Sequence, residues 1–300
     1  PAAICISSMM QSAEPDTFYE YFILYSGDIP EIAGIDKIKK TYSNMSVTYR
    51  SVGDVFNGAY EIRGITTAAY YRLLAAELIP EYDKVIYADV DMIFRLDMAE
   101  LYDCDLGDNY LGAVYALGLN TSDDARDYVH SIGLTPGDYF LSGFLLMNLA
   151  KIRRDGLTDK FVALAKDDFK YQDQDIMNIV CCGKIPSLPY VYSMTVAAFE
   201  AVSLKTTLLD TKYMYNPFDR DPLLYSNIHY NGVKPWKDWC PNMDQWWECY
   251  RNSPIYDPAF YFSFFNNKLD YLDQLSLTKR IKILLRYFIF GQKKIKNYDE

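Results

Sequence analysis

The chain has no run of about 18 uncharged apolar residues, so no stretch of it reads as a membrane-spanning helix. Its first basic residue is Lys37, which leaves no positively charged start for a secretory signal. The six cysteines (Cys5, Cys104, Cys181, Cys182, Cys240 and Cys249) contain no Cys-x-x-Cys pair, and adjacent cysteines rarely bridge each other. A zinc framework and a disulfide scaffold are therefore both disfavoured, and the pattern suits a reducing cytoplasm. Gly-rich phosphate loops of the Walker or dinucleotide type are absent, as is a Gly-x-Ser-x-Gly elbow. Rossmann dehydrogenase and serine-hydrolase readings lose their main support. Positive charge is scarce: 30 Lys and Arg face 40 Asp and Glu, a net charge of −10. Such a body is a poor nucleic-acid binder, and an anionic small molecule would need a local cation or a bound metal.

What is present points to a globular protein. Half of the 300 residues are hydrophobic and 23% are charged, enough for one large α/β domain or a domain with an appendage. The 28 Tyr, 16 Phe and 4 Trp supply core packing and, equally, stacking surfaces for sugars or bases. Buried-type runs at 20–25, 46–50, 84–88, 110–115 and 143–148 read as strands. The first is ended by Gly27, Asp28 and Pro30. Helices are expected at 3–12, around 30–40, from a Thr66 or Thr67 cap to Ile79, and over 122–131, 157–169 and 173–180. This alternation predicts a mostly parallel, doubly wound, Rossmann-like sheet. Residues 1–265 read as one catalytic domain and 266–300 as a C-terminal helical tail. The tail carries eight Lys and Arg (Lys268, Lys279, Arg280, Lys282, Arg286, Lys293, Lys294, Lys296) against Asp270, Asp273, Asp299 and Glu300. Ile281, Leu284, Leu285, Phe288 and Ile289 recur in it at helical spacing. A basic amphipathic helix of this kind, over 277–296, can lie on an anionic bilayer or dock on the body of the protein.

Four constellations carry polar chemistry. Asp89-Val90-Asp91 follows the 84–88 strand, where residues i and i+2 share a face and two carboxylates can approach one point. Two close anions call for a cation, and oxygen ligands suit Mg²⁺ or Mn²⁺. His229-Tyr230-Asn231-Gly232-Val233-Lys234-Pro235-Trp236 offers an imidazole, a glycine that permits close backbone approach and a point cation for a phosphate; a polar loop beside a packed Trp explains it too. Asp173-Gln174-Asp175 opens a helix, with Asp173 reading as an N-cap or as a polar group aimed at a reacting centre. Ser142-Gly143 precedes an apolar strand and serves either a ligand or a plain strand entry. The other histidine, His130, belongs to a helix C-terminal turn.

Taken in order, TAAYYRLLAAELIPEYDKVIYADVDMI, YFLSGFLLMNL, DQDIMN and HYNGVKPW resemble the family 8 glycosyltransferases of the GT-A fold, the group of bacterial lipopolysaccharide galactosyltransferases and glycogenin. The likeness covers roughly residues 1–240. It implies a retaining transferase moving glucose or galactose from a UDP-hexose to a glycan, glycolipid or glycoprotein; the cysteine pattern and the basic tail point to the cytoplasm or to a peripheral place on the inner face of the membrane. It implies Asp89, Asp91 and His229 as ligands of Mn²⁺ or Mg²⁺. Donor contacts fall to Arg72, Asp89, Val90, Asp91, Ser142, Gly143, Gly232 and Lys234, with Arg72 paired to Asp173. Asp173 would hold sugar hydroxyls, and Gln174 would stand near the anomeric carbon as a stabiliser of positive charge. The family usually opens with a strand and an Asp-rich turn that hold uracil and ribose. Here the chain opens on Pro1 at the following helix, so a missing first strand through truncation is expected. Leu141 stands where the family often has Asn, and Ala116 where it often has Asp, which leaves donor and acceptor identity open. A metal-dependent phosphohydrolase, suggested by Asp-x-Asp after an apolar strand, and a catalytically inactive sugar-nucleotide or glycan binder are the alternatives.

Overall fold

The structure is a computed structural model that describes residues 1–29, 32, 34–62, 64–269 and 275–290. Pro30, and Asp270, Asp273, Lys293, Lys294, Lys296, Asp299 and Glu300 of the tail, lie outside the described residues. Helix α1 (Ala2–Ser12) leads into strand β1 (Tyr19–Tyr25), helix α2 (Ile35–Thr41) and strand β2 (Met45–Ser51). A tight 3₁₀ stretch, Thr67–Leu74, continues as α3 (Ala75–Leu78). Thr66 precedes it without a side-chain cap; Glu61 instead accepts the Thr67 N–H at 2.8 Å. Then follow β3 (Lys84–Ala88), β4 (Met92–Ile93), α4 (Ala99–Asp103), β5 (Leu111–Tyr115), α5 (Leu117–Thr121), α6 (Asp123–Ser131) and β6 (Phe140–Asn148). His130 falls in the last turn of α6, as expected. The chain continues through α7 (Leu149–Arg154), α8 (Leu157–Leu164), α9 (Gln172–Val180), α10 (Val196–Ser203), α11 (Pro222–Tyr225) and β7 (Ile228–His229). It closes with α12 (Met243–Arg251), α13 (Pro258–Leu269) and α14 (Leu277–Phe290). The boundary expected at 265/266 falls inside α13.

The α/β expectation holds, with a refinement in strand direction. β1 and β2 pair in parallel, while β3 and β5 both run antiparallel to β6, which lies between them. β3 and β5 therefore share a direction. The reversal of β6 follows from its connection. Tyr115 at the end of β5 pairs with Phe140 at the start of β6, and Ala116 N–H donates to the Tyr139 carbonyl at 3.0 Å. Helices α5 and α6 thus form an excursion that returns at the same sheet edge, and a chain that does not cross back must re-enter antiparallel.

β6 is apolar on both faces because both faces are covered. Leu145 and Met147 join Leu111, Ala113, Ile152, Phe161 and Ile176 in one core. Phe144 and Leu146 join Phe94, Met98, Val114 and Tyr192 in another. A third core gathers Ile4, Ile93 and Ile228 around Trp246, Trp247 and Tyr250. That core fixes β4 against β7 in antiparallel register, Met92 opposite His229 and Ile93 opposite Ile228. Two short strands that no sequence pattern announced thereby bring chain positions far apart to one place.

Candidate active site

Asp89 and Asp91 lie in the link between β3 and β4 rather than within a strand, so shared strand faces do not explain their meeting. Backbone bonds do. Asp89 N–H donates to the Gly143 carbonyl at 2.8 Å, extending the β3–β6 ladder by one residue. The Asp91 carbonyl accepts Tyr230 N–H at 3.0 Å, extending the β4–β7 pair. His229 is thereby carried to the acids. Its Nδ1 meets the Ser193 hydroxyl at 3.1 Å, and its Nε2 stands 3.8 Å from Asp89 Oδ2 and 3.4 Å from Asp91 Oδ1.

Each of the three side chains keeps one atom for a shared point. Asp89 Oδ1 is taken by Arg72 Nη2 at 2.7 Å and the Tyr87 hydroxyl at 2.8 Å, which leaves Oδ2. Asp91 Oδ2 accepts from Lys234 Nζ, which leaves Oδ1, a buried oxygen without a hydrogen bond. With His229 Nε2, these atoms lie within 4.8 Å of one another. Burial alone would raise the Asp91 pKa, but His229 and Lys234 outweigh it and hold the carboxyl below its usual range. The donor set, two carboxylate oxygens and an imidazole nitrogen, fits Mn²⁺ or Mg²⁺. Gly143 keeps the cradle open: a Cβ there would stand 2.4 Å from His229 Cε1 and 2.7 Å from Asp89 Oδ2.

Arg72 is the hub behind the acids. It is buried, and its Nε donates to the Ala69 carbonyl at 2.9 Å and pairs with Asp173 Oδ2 at 3.2 Å. Its Nη1 donates to the Ser142 carbonyl, and its guanidinium stacks over the Tyr87 ring at 4.4 Å. The expected pairing of Arg72 with Asp173 is present. The N-cap role of Asp173 is not: α9 begins at Gln172, and Asp173 is already inside the helix with its side chain buried against Arg72. Gln172 adopts φ 50°, an unusual value for a side-chain-bearing residue, and it is buried together with Asp173 and Asp175. Burial pushes Asp173 up to about 6, with Arg72 pulling the other way. Gln174 Oε1 accepts Ser142 N–H at 3.2 Å.

Arg72, Asp89, Val90, Asp91, Ser142, Gly143, Asp173, Gln174, His229, Gly232 and Lys234 all line one cavity of about 1640 Å³. The residues expected from the sequence are thus brought together. Val90 is exposed, and a Cβ on Gly232 would meet nothing within 4 Å, so open space rather than crowding surrounds that glycine. Lys234 is held by Asp91 and, at 2.6 Å, by the Tyr230 carbonyl. The sequence reading missed the roles of Tyr87, Ser193, Tyr139 and the second acid of the DQD run, Asp175. Tyr87 was signalled by its spacing, on β3 two residues before Asp89; Ser193 had no local signal. Consecutive residues of β1 (Tyr19–Leu24) and of β3 also line the cavity, so the hydrogen-bonding edges of both strands face it.

A family model described as glycosyl transferase family 8 matches residues 1–240. A lipopolysaccharide 1,2-glucosyltransferase of Escherichia coli is 26% identical over 245 residues, 79% of this chain and 70% of that protein. A Haemophilus influenzae relative is 31% identical over 147 residues, and the match spans 48% of this chain and 44% of that protein. Among solved structures, the galactosyltransferase LgtC in complex with donor and acceptor sugar analogues superimposes with a TM-score of 0.67 at 29% identity, covering 86% of this chain and 94% of LgtC. That likeness identifies the fold as GT-A.

Two outcomes follow from the geometry. A carboxyl whose pKa is raised on folding binds extra protons in the folded state, so stability falls as pH rises from about 4 to about 6. Asp173→Asn, measured by urea melts in chelator, is expected to gain on the parent protein across that window by up to about 3 kcal/mol. A pH-independent gap would show that Asp173 titrates normally. Gly143→Ala is expected to lower Mn²⁺ affinity at least about tenfold in titration calorimetry while the protein stays folded; unchanged affinity would separate Gly143 from the metal site.

Proposed function

The chain belongs to glycosyl transferase family 8, and from that premise we propose that it is a metal-dependent, retaining hexosyltransferase that moves glucose or galactose from a UDP-sugar to a glycan or glycoconjugate acceptor. The observation that carries this is the convergence of Asp89 Oδ2, Asp91 Oδ1 and His229 Nε2 in the wall of the large cavity. Its volume of about 1640 Å³ takes in the open edges of β1 and β3 as well as the surroundings of these side chains.

A divalent cation held by these three side chains supplies electrostatic stabilisation of a departing diphosphate. The protein's own groups do the rest. Lys234 stands at the same carboxylate, where an ammonium can follow the charge that grows on the leaving group. Arg72 holds Asp89 in place and keeps Asp173 ionised against its burial. Asp173, paired with Arg72 through Oδ2, lines the cavity, where a carboxylate suits a sugar hydroxyl. Gln174 carries a neutral amide, a poor nucleophile. Its carbonyl dipole suits stabilisation of an oxocarbenium-like centre, which favours a same-face displacement over a covalent intermediate.

Placement at the cytoplasmic side of the membrane is part of the proposal. All six cysteines are free, as a reducing compartment allows. Helix α14 exposes Leu277, Ile281, Leu284, Leu285, Phe288 and Ile289, with Lys279, Arg280, Lys282 and Arg286 among them. The docked-helix alternative gains no support from such exposure. Of the expected 277–296 segment, residues 291–296 lie outside the described residues.

Release of UDP from UDP-glucose and UDP-galactose, with Mn²⁺ and with chelator, tests the activity. Metal-dependent release is expected, and Asp91→Ala is expected to reduce it at least about a hundredfold with the fold intact. Phosphate release from aryl phosphates would favour the phosphohydrolase, and UDP-sugar binding without turnover the inactive binder. In liposome flotation, the chain is expected to rise with anionic vesicles and a variant lacking 266–300 to stay in solution; equal behaviour of the two removes the membrane role of the tail.

A further inference from the structure

The DQD run ends in a carboxylate that the mechanism above leaves unused. Asp175 is fully buried, yet it is well supplied with donors. Its Oδ1 accepts from the Tyr139 hydroxyl, and its Oδ2 accepts from the Tyr128 hydroxyl at 2.5 Å and from Tyr171 N–H at 2.8 Å. Tyr139 is itself fully buried, and burial together with the Asp175 charge raises its pKa well above the ordinary value. The phenol therefore keeps its one proton and gives it to the carboxylate, which can only accept.

With its proton committed, the Tyr139 oxygen has only lone pairs to offer, and Gln174 Nε2 stands 3.3 Å away. A phenol that donates to a carboxylate is also the better acceptor for it. At the other end of the amide, Ser142 N–H can only donate, and it meets Gln174 Oε1. The two partners are complementary and not interchangeable. A flipped amide would set N–H against N–H at Ser142 and oxygen against oxygen at Tyr139. Ser142 lines the cavity and Tyr139 does not, so the chosen orientation puts the carbonyl end of Gln174 at the cavity and its amino end toward the interior.

We propose that Tyr139 and Asp175 are positioning residues that fix the sign of the Gln174 dipole at the cavity. This rests on the reading of Gln174 as a stabiliser of positive charge at the anomeric carbon. The carbonyl oxygen presents partial negative charge there; the flipped amide would present an amino group and repel the centre it should stabilise. Neither Tyr139 nor Asp175 needs to touch the donor for this.

The test is a double-mutant cycle on Mn²⁺-dependent UDP release from UDP-glucose and UDP-galactose, using whichever donor turns over faster. Tyr139→Phe keeps the ring and removes the hydroxyl. It is expected to lower kcat at least about tenfold, with KM for the donor within about threefold of the parent and Mn²⁺ affinity unchanged. In a Gln174→Ala background the same change is expected to alter kcat less than about twofold, because Tyr139 acts only through Gln174. An undiminished kcat in Tyr139→Phe, or a full multiplicative loss in the double variant, overturns the relay. If Gln174→Ala alone turns over like the parent, the reading of Gln174 falls and the relay with it; a slow Gln174→Ala with multiplicative loss sinks the relay alone. Should Tyr139→Phe fail to fold, the parent protein carries the test through the side-chain amide resonances of Gln174. Slow exchange of its Nε2 protons with solvent is expected, and exchange as fast as that of a surface glutamine overturns the proposal.

Discussion

Two carboxylates aimed at one point repel each other, and the surroundings of Asp89 and Asp91 answer that repulsion. At a separation of a few ångströms and an effective dielectric of about 20, two like charges cost about 4 kcal/mol. Arg72 offsets the charge of Asp89 and Lys234 that of Asp91, each from the side away from the shared point. The Tyr87 hydroxyl adds a neutral donor on the Arg72 side. The inner oxygens are left facing His229 Nε2, with Nδ1 of the same ring held by Ser193. Holding the charges from behind is what allows the front to stay open.

That arrangement explains why distant pieces of sequence must fold as one. Arg72 comes from the stretch before α3, the acids from the β3–β4 link, Gly143 from β6, Asp173 from α9 and His229 from β7. Each is set by backbone pairing or by a buried contact rather than by a flexible loop. The Asp89 N–H bond to Gly143 and the Asp91 carbonyl bond to Tyr230 extend two separate ladders into the site. The third core, built on Trp246 and Trp247, has its consequence here: it presses β4 and β7 together, and Met92 opposite His229 is the register that delivers the imidazole.

Much of this was legible in the residues. The apolar run 84–88 announced β3, and the acids after it announced a candidate cation site. HYNGVKPW announced the imidazole and its lysine. The reason the acids converge was not legible, because β4 and β7 are two residues long and carry no periodicity. The antiparallel course of β6 was hidden for a similar reason: direction depends on where α5 and α6 deposit the chain, and apolar content is blind to it. The N-cap reading of Asp173 failed because local propensity yielded to a buried partner, Arg72, more than a hundred positions earlier. The aromatic helices α12 and α13 went unread because aromatic richness alone does not distinguish a core from a stacking surface.

The charge balance of the chain, finally, bears on how an anionic donor could be received at all. Around the shared point stand Asp89, Asp91 and Asp173, and the two cations beside them, Arg72 and Lys234, are already paired. With the three carboxyls ionised, these acids and cations sum to −1. A diphosphate entering that setting meets a surplus of its own sign in a protein whose net charge is −10. A divalent ion at the open oxygens turns −1 into +1, so the local sign reverses while the global sign does not. On the proposed function, the acidic composition, which at first speaks against phosphate binding, is reconciled with it: the carboxylates that would repel a nucleotide are the ones that would recruit the charge to hold it.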